Sequence, residues 1–249
     1  MKISIITVCY NSSQTLERTL KSVADQDYIH FEHIVIDGGS TDGSAEILTT
    51  FRNRLAHVVS EPDDGIFDAM NKGLAYARGD IICFLNADDY YANSKILSQV
   101  ANKIKNNNLD AVMGDVGFFR KEFPQRMVRR YRSDQFSQER FAWGWIPAHP
   151  ALFLHKRVVQ RVGSFKTDYR IAGDYDFIVR AFYGYALRYE YIPEILVHMQ
   201  TGGASTGGLR SKLLLNQEVL RACRENGLKT NMLKILLKYP SKLLELVRL

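Results

Sequence analysis

Cysteine is scarce in this chain of 249 residues: Cys9, Cys83 and Cys223 are the only three, far apart and without metal-binding spacing. Two of them, Cys9 and Cys83, lie inside apolar strand-like runs. They read as reduced core side chains, which excludes a disulfide framework and a structural zinc module. No apolar run approaches the roughly 20 residues that cross a bilayer. Met1-Lys2 leads directly into a strand-like run, leaving no room for a secretory signal there. The expectation is a cytoplasmic protein whose only membrane contact is peripheral, at the inner face. Zinc-finger spacing, basic heptad helices and RNP-type aromatic patterns are also missing, so nucleic acid is not an expected partner. There is no internal repeat, low-complexity segment or strong linker.

What is present is ordinary globular material, 46% hydrophobic and 24% charged, sufficient for one large domain. The net charge of +6 conceals a division. Residues 1–119 carry 10 basic against 16 acidic side chains, whereas residues 120–249 carry 23 against 11. The first half suits a cation and the second an anionic partner or surface.

Residues 3–10 form a β-branched run of the kind buried on both faces of a parallel sheet. Leu16, Leu20, Val23 and Ala24 then fall on one helical face. A second strand, residues 33–36, ends in Asp37-Gly38-Gly39-Ser40-Thr41-Asp42-Gly43, and a helix carrying Ile47, Leu48 and Phe51 follows. A third strand, residues 56–59, precedes a helix with Phe67, Met70, Leu74 and Ala77 on its apolar side and Asp68, Asn71 and Lys72 opposite. These repeating units, with a fourth strand over residues 81–85, specify a doubly wound α/β layer whose ligand crevice lies beyond the carboxyl ends of its strands.

Later elements are less regular. A helix is expected over residues 94–104 and a strand over 111–119. Residues 120–132 read as a basic loop or edge strand, 141–150 as an aromatic, Pro-bounded pocket wall, and 155–162 as a helix. Strands at 189–192 and 195–199 lead to a glycine-rich stretch at 202–208.

The fourth strand ends in Asn86, Asp88 and Asp89, with Asn86 and Asp88 on one side of an extended chain and Asp89 on the other. Clustered carboxylates repel unless a cation neutralises them, so Mg²⁺ or Mn²⁺ is the expected cofactor. Asp37, Asp63, Asp64 and Asp68 are predicted to reach the same sheet edge. A second acidic site, Asp174-Tyr175-Asp176, starts a helix through Phe177 and Phe182.

Together these ordered motifs resemble a family 2 glycosyltransferase with the GT-A fold, of the small bacterial kind that builds surface polysaccharide. The carriers are the first strand, the Asp37 to Gly43 loop, the run from Ser60 to Gly73, Phe84 to Asp89, and Asp174-Tyr175-Asp176. The resemblance implies a single Rossmann-like, doubly wound mixed sheet with helices on both faces. Its glycosyltransferase domain would span residues 1–208, with a nucleotide-sugar half at 1–119 and an acceptor half at 120–208, and a basic helical extension at 209–249. It implies an inverting transfer from a nucleotide sugar, with a UDP-sugar favoured, to a hydroxyl of a lipid-diphosphate-linked or oligosaccharide acceptor. Thr7, Tyr10, Asp37, Asp64, Asp68, Asn71, Lys72, Asn86 and Asp88 would border the donor, with Asp37 receiving a base N–H or ribose hydroxyl. Asp88 and His198 would hold the metal, Asp174 would be the general base, and Trp143, Trp145 and His149 would line the acceptor pocket. Two departures stand out: Asn86 replaces the first Asp of the family's Asp-x-Asp motif, and Gly173 replaces a Glu that often precedes the base.

A sugar nucleotidyltransferase would show a Gly-rich basic loop where Tyr10-Asn11-Ser12-Ser13-Gln14 stands, and a glycoside hydrolase would need neither nucleotide nor metal. A non-catalytic nucleotide-sugar-binding or scaffold subunit is the alternative that Asn86 motivates. Residues 231–249 interleave leucines with Lys234, Lys238, Lys242 and Arg248, the composition of an interfacial segment for an anionic membrane.

Overall fold

A computed structural model describes residues 1–120, 123–202 and 208–239. Residues 203–207 of the glycine-rich stretch and 240–249 of the tail lie outside the described residues.

The apolar runs form β1 (Ile3–Cys9), β2 (Phe31–Asp37), β3 (His57–Ser60) and β4 (Ile81–Phe84), which pair in parallel in the order β3-β2-β1-β4. The intervening helices are α1 (Leu16–Ala24), α2 (Ser44–Thr50) and α3 (Ile66–Tyr76). Alternation along β1 sends side chains to opposite layers. Ile6 and Val8 pack with Phe67 and Met70 of α3, while Ile3 and Ile5 pack against the other face with Val23.

Beyond β4 the sheet continues through antiparallel and parallel pairings, so it is mixed. β5 (Tyr90–Tyr91) comes next in sequence, before α4 (Ile96–Asn107), β6 (Ala111–Arg120), β7 (Phe123–Tyr131), β8 (Leu152–His155), α5 (Lys156–Val162), α6 (Gly173–Phe182) and β9 (Tyr189–Gln200). The full order is β3-β2-β1-β4-β8-β6-β9-β5, with β7 added to β6. Neither β5 nor β8 was expected: β5 has only two residues, too few for periodicity to register, and β8 runs into α5 with no turn residue between them. The strands expected at 189–192 and 195–199 are one element, β9, whose irregular register against β6 falls near Pro193.

The basic stretch after residue 119 contains an edge strand, β7, antiparallel to β6. Arg130 donates from Nε to the fully buried Asp115 at 2.7 Å, and Asp115 also accepts from the Ser133 N–H and the Tyr191 hydroxyl, each at 2.9 Å. Part of the positive charge of the second half therefore holds the sheet together.

After β9 come α7 (Leu209–Glu225) and α8 (Met232–Leu236). Val219, Ala222 and Cys223 of α7 are buried in the same core as Phe177 and Phe182 of α6, so α7 packs on the sheet layer as an integral helix.

Candidate active site

Strands β1 to β4 end together at one edge, where a crevice of about 1470 Å³ opens. Single small-molecule pockets run roughly 300–1,000 Å³, so this one has room for two substrates. It is lined by Cys9, Tyr10 and residues 11–15 after β1, Gly38 and Asp42 after β2, Pro62 and Asp63 after β3, and Asn86 and Asp88 after β4. His149, Arg170 and Asp174 close it from the second half, and Arg129 stands at the β7 side.

The β1–β2 end is a rigid ledge. The Asn11 side-chain oxygen accepts from the Thr41 N–H at 2.9 Å, and the Asn11 N–H donates to Ser40 Oγ at 2.8 Å. Asp42 accepts from the Ser13 N–H at 2.9 Å and from Ser44 Oγ at 2.6 Å, which holds its carboxyl well below the usual range. Asp37 does not reach the crevice as expected. It is fully buried, and its oxygens are taken by the Ser40 N–H and hydroxyl, by Ser60 Oγ at 2.6 Å and by Cys9 Sγ. Thr7 is likewise withdrawn, bonded to His33 Nε2 at 2.9 Å inside the sheet.

Asp63, a carboxylate that the expected site set omitted, takes the place on the crevice wall. A Cβ built on Gly38 would lie 2.5 Å from Asp63 Oδ2, so Asp63 fills the space where a side chain at 38 would stand. Its other oxygen, Oδ1, accepts the Gly65 N–H at 2.9 Å, which fixes the turn, and Oδ2 lies against Gly38, itself part of the crevice wall. The pairing of a glycine at 38 with an acid 25 positions later is a contact across strands, invisible to local pattern.

The polar face of α3 packs or pairs and lines no part of this crevice. Asn71 exchanges two hydrogen bonds with the Phe165 backbone, at 2.9 and 2.8 Å. Lys72 sits 2.9 Å from Glu61 and 3.5 Å from Asp68, and it donates to the Pro62 carbonyl. Asp68 also accepts the exposed Asp64 N–H, so Asp64, Asp68 and Lys72 brace the start of the helix while Asn71 ties its middle to Phe165. Tyr10, by contrast, is 64% exposed on the crevice lip.

At the end of β4 the chain turns, the Asp89 N–H bonding the Asn86 carbonyl at 3.0 Å. Asn86 and Asp88 still share the crevice side, and Asp89 points into the protein. Burial pushes the Asp88 carboxyl up, with Arg18 opposing. Asp89 is completely buried with neither oxygen bonded, and burial together with the charge of Asp88 raises its carboxyl well above the usual range. Asn86 Oδ1 is also buried without a partner, an oxygen donor placed beside Asp88. His198 packs between Tyr90 and Phe119, with ring centroids at 5.0 and 4.6 Å, and does not line the crevice. Among the described residues no three His, Cys, Asp or Glu side chains converge as a metal site, and the expected Asp88–His198 pair is not brought together in the crevice, which Asp88 lines and His198 does not.

Asp174 lies in the first turn of α6 and accepts the Tyr175 N–H at 2.7 Å. Burial is the largest influence on its carboxyl and raises it; neighbouring His149 works in the opposite direction. His149 stacks on Phe84 with centroids 5.4 Å apart, and its Nε2 is buried and unpartnered. Gly173 explains the missing Glu: a Cβ there would meet the Phe67 ring at 2.7 Å. Trp143 and Trp145 lie away from the crevice lining, beside Lys234 and Tyr131 respectively.

A doubly wound sheet whose strand ends open into one carboxylate-lined crevice is the architecture of nucleotide-dependent enzymes. The chain belongs to Glycosyl transferase family 2, which its residues 4–163 match; it is a glycosyltransferase with the GT-A fold. A PGL/p-HBAD biosynthesis glycosyltransferase of Mycobacterium bovis is 30% identical over 222 residues, covering 88% of this chain and 82% of that protein. Residues 1–349 of Staphylococcus aureus TarS in complex with UDP-GlcNAc share the fold at a TM-score of 0.72 and 19% identity, covering 92% of this chain and 68% of that one. The chain spans only 41% of the longer TarS structure. The mannosyltransferase PcManGT of Pyrobaculum calidifontis, in complex with GDP-Man and Mn²⁺, superposes at a TM-score of 0.66 with 20% identity, over 90% of this chain and 63% of that one.

Proposed function

We propose that this enzyme transfers a sugar, with inversion, from a nucleotide sugar to a hydroxyl of a lipid-diphosphate-linked or oligosaccharide acceptor of surface-polysaccharide synthesis. The observation that carries the reading is that one crevice is lined by both Asn86 and Asp88 at the end of β4 and by Asp174 of α6. Donor phosphates at the first pair and an acceptor hydroxyl at the second bring the reacting groups together.

Strand order sets the donor's direction. From β4 outward come β1, β2 and β3, and adjacent strands are about 4.8 Å apart. A nucleotide with its diphosphate at Asp88 therefore extends its base over Cys9 and Tyr10 toward Gly38 and Asp63. Asp88 and Asn86 Oδ1 are oxygen donors of the type Mg²⁺ or Mn²⁺ accepts, the other positions being filled by water and phosphate. Held there by Asp88 and Asn86, such an ion would supply positive charge against the departing diphosphate. Asp174 accepts the proton of the acceptor hydroxyl as its oxygen attacks, and neutral His149 beside it orients that hydroxyl.

A thermal-shift panel of UDP-, dTDP-, GDP- and CDP-sugars with Mn²⁺ tests this reading; no stabilisation by any of them would sink it. Asp63 gives the panel a second arm. A carboxylate accepts an N–H, which uracil, thymine and guanine present and cytosine's ring nitrogen does not. Asp63→Asn preserves Oδ1 for the Gly65 N–H and turns the other atom into a donor. The expected result is a loss of UDP affinity by about 10- to 100-fold, with CDP weakened less.

The second half would meet the acceptor's carrier lipid at α8. Leu233, Leu236 and Leu237 are exposed there, beside Trp143 and Lys234, while Ile235 and Lys238 face inward. No helix among the described residues is long and apolar enough to cross a membrane. Replacing the three exposed leucines with serine leaves the buried side intact and is expected to release the protein from vesicles containing phosphatidylglycerol. Unchanged co-sedimentation would remove this surface from the proposal.

A further inference from the structure

The family match ends at residue 163, yet Asp174 follows it and the segment that delivers Asp174 is held from farther still. Residues 170 to 172 present three consecutive backbone N–H groups to one carboxylate, that of Glu218 on α7. Arg170 donates to Oε1 at 2.8 Å, Ile171 to Oε2 at 2.9 Å and Ala172 to Oε2 at 2.8 Å. Glu218 is buried, and a buried carboxylate is tolerated only where such donors replace its water. Successive N–H groups turned toward one point form an anion-binding concavity; here the anion belongs to the protein.

We propose that Glu218 is a positioning residue for the transfer reaction, fixing the segment that places Asp174 and Arg170 at the crevice. The inference rests on the reading of Asp174 as general base. Ala172 is the residue before α6, and its carbonyl accepts the Asp176 N–H at 3.1 Å, so a shift at 172 moves the turn bearing Asp174. The same hold directs Arg170 and Ile171 into the crevice wall. The clamp is stiff because α7 is anchored on both sides of Glu218: before it, Asn216 is buried and donates from Nδ2 to the Tyr239 hydroxyl at 2.9 Å. Val219, Ala222 and Cys223 are core residues, and Glu225 accepts from Lys166 Nζ at 2.8 Å and the Tyr169 hydroxyl at 3.0 Å. Asn226, which caps α7, donates from Nδ2 to Asp176 Oδ1 at 3.1 Å, so α7 grips the 166–176 segment at both ends.

Glu218→Gln offers one acceptor oxygen and turns an NH₂ group toward a backbone N–H; Glu218→Asp keeps the charge but shortens the reach. In the full chain, hydrogen exchange should show the amides of residues 170–172 losing protection about tenfold or more in Glu218→Gln while the rest of α7 keeps its own. Wild-type protection in that variant would overturn the clamp. The kinetic arm follows UDP or GDP release, with water as acceptor, from the nucleotide sugar giving the largest thermal shift. The expected result is a fall in kcat of about 10- to 100-fold, with the donor KM within about twofold and partial recovery in Glu218→Asp. A fall in donor binding equal to the fall in kcat would mean general loosening and would also overturn the inference. The groups facing Asp174 are His149, which lowers its carboxyl, and Glu218, which raises it. Removing the Glu218 charge should therefore move the acid limb of the rate profile to lower pH, a shift that mere destabilisation does not produce. No release by the wild type with water would leave the proposed transfer to the nucleotide-sugar panel, and the exchange experiment would then decide the clamp by itself.

Discussion

Asp174→Asn is expected to lower sugar transfer by about 10²- to 10⁴-fold without weakening donor binding. The amide has the same shape and can still accept the Tyr175 N–H, but it cannot take a proton. The pH dependence follows from burial. Because burial raises the Asp174 carboxyl, the base is ionised only above a value higher than the ordinary ~4 of an aspartate. Wild-type kcat/KM should therefore fall with decreasing pH through a limb above that value, and the limb should disappear in the variant. Stability runs the other way. A carboxyl whose folded-state value is raised favours the fold below its unfolded value and loses that contribution as pH rises through the folded one. At neutral pH the wild type buries a charge at Asp174 that the variant lacks, so Asp174→Asn should melt no lower than wild type. An inactive variant that melts lower would point to damage, and a fully active one would end the assignment.

The division of roles between Asp37 and Asp63 shows how far sequence carried the site. The first four strands and their helices were legible because buried parallel strands and amphipathic helices leave unbroken local periods, and the crevice follows from that topology. The places of Asn86, Asp88 and Asp174 on the crevice were legible too, since each sits at the end or start of such an element, whereas His149 stood in the aromatic, Pro-bounded run before β8. Asp37 and Thr7 have the right residue types on the right strands, but Ser40 in the loop after β2, and Ser60 and His33 on neighbouring strands, satisfy them. Their donors and acceptors are decided by contacts 3 to 26 residues away, which periodicity does not encode. The same applies to Asn71, captured by the Phe165 backbone, and to Glu218, whose partners lie up to 48 residues earlier. Gly173 looked like a departure from a motif and is a packing requirement imposed by Phe67.

Asp88→Ala should have an effect of comparable size, about 10³-fold on transfer, since electrostatic stabilisation of a leaving diphosphate is worth several kcal/mol and each 1.4 kcal/mol is about a factor of ten. The variant removes the only carboxylate among the described crevice residues at the β4 end, while Asp89 stays buried behind it. It also relieves the repulsion by which Asp88 raises Asp89, so the fold should not weaken. The readout independent of turnover is Mn²⁺: the additional thermal shift that Mn²⁺ gives with UDP should vanish in Asp88→Ala. Asn86→Asp should do the reverse, because it adds a charge next to Asp88 at an oxygen that now has no partner. Two adjacent carboxylates bind a divalent ion more tightly and repel each other when it is removed, so Asn86→Asp should be more stable than wild type with Mn²⁺ and less stable in EDTA. Full activity in Asp88→Ala would refute the cation assignment. Loss of activity with the Mn²⁺-dependent shift intact would move the ion elsewhere and leave Asp88 as a ligand of the donor sugar.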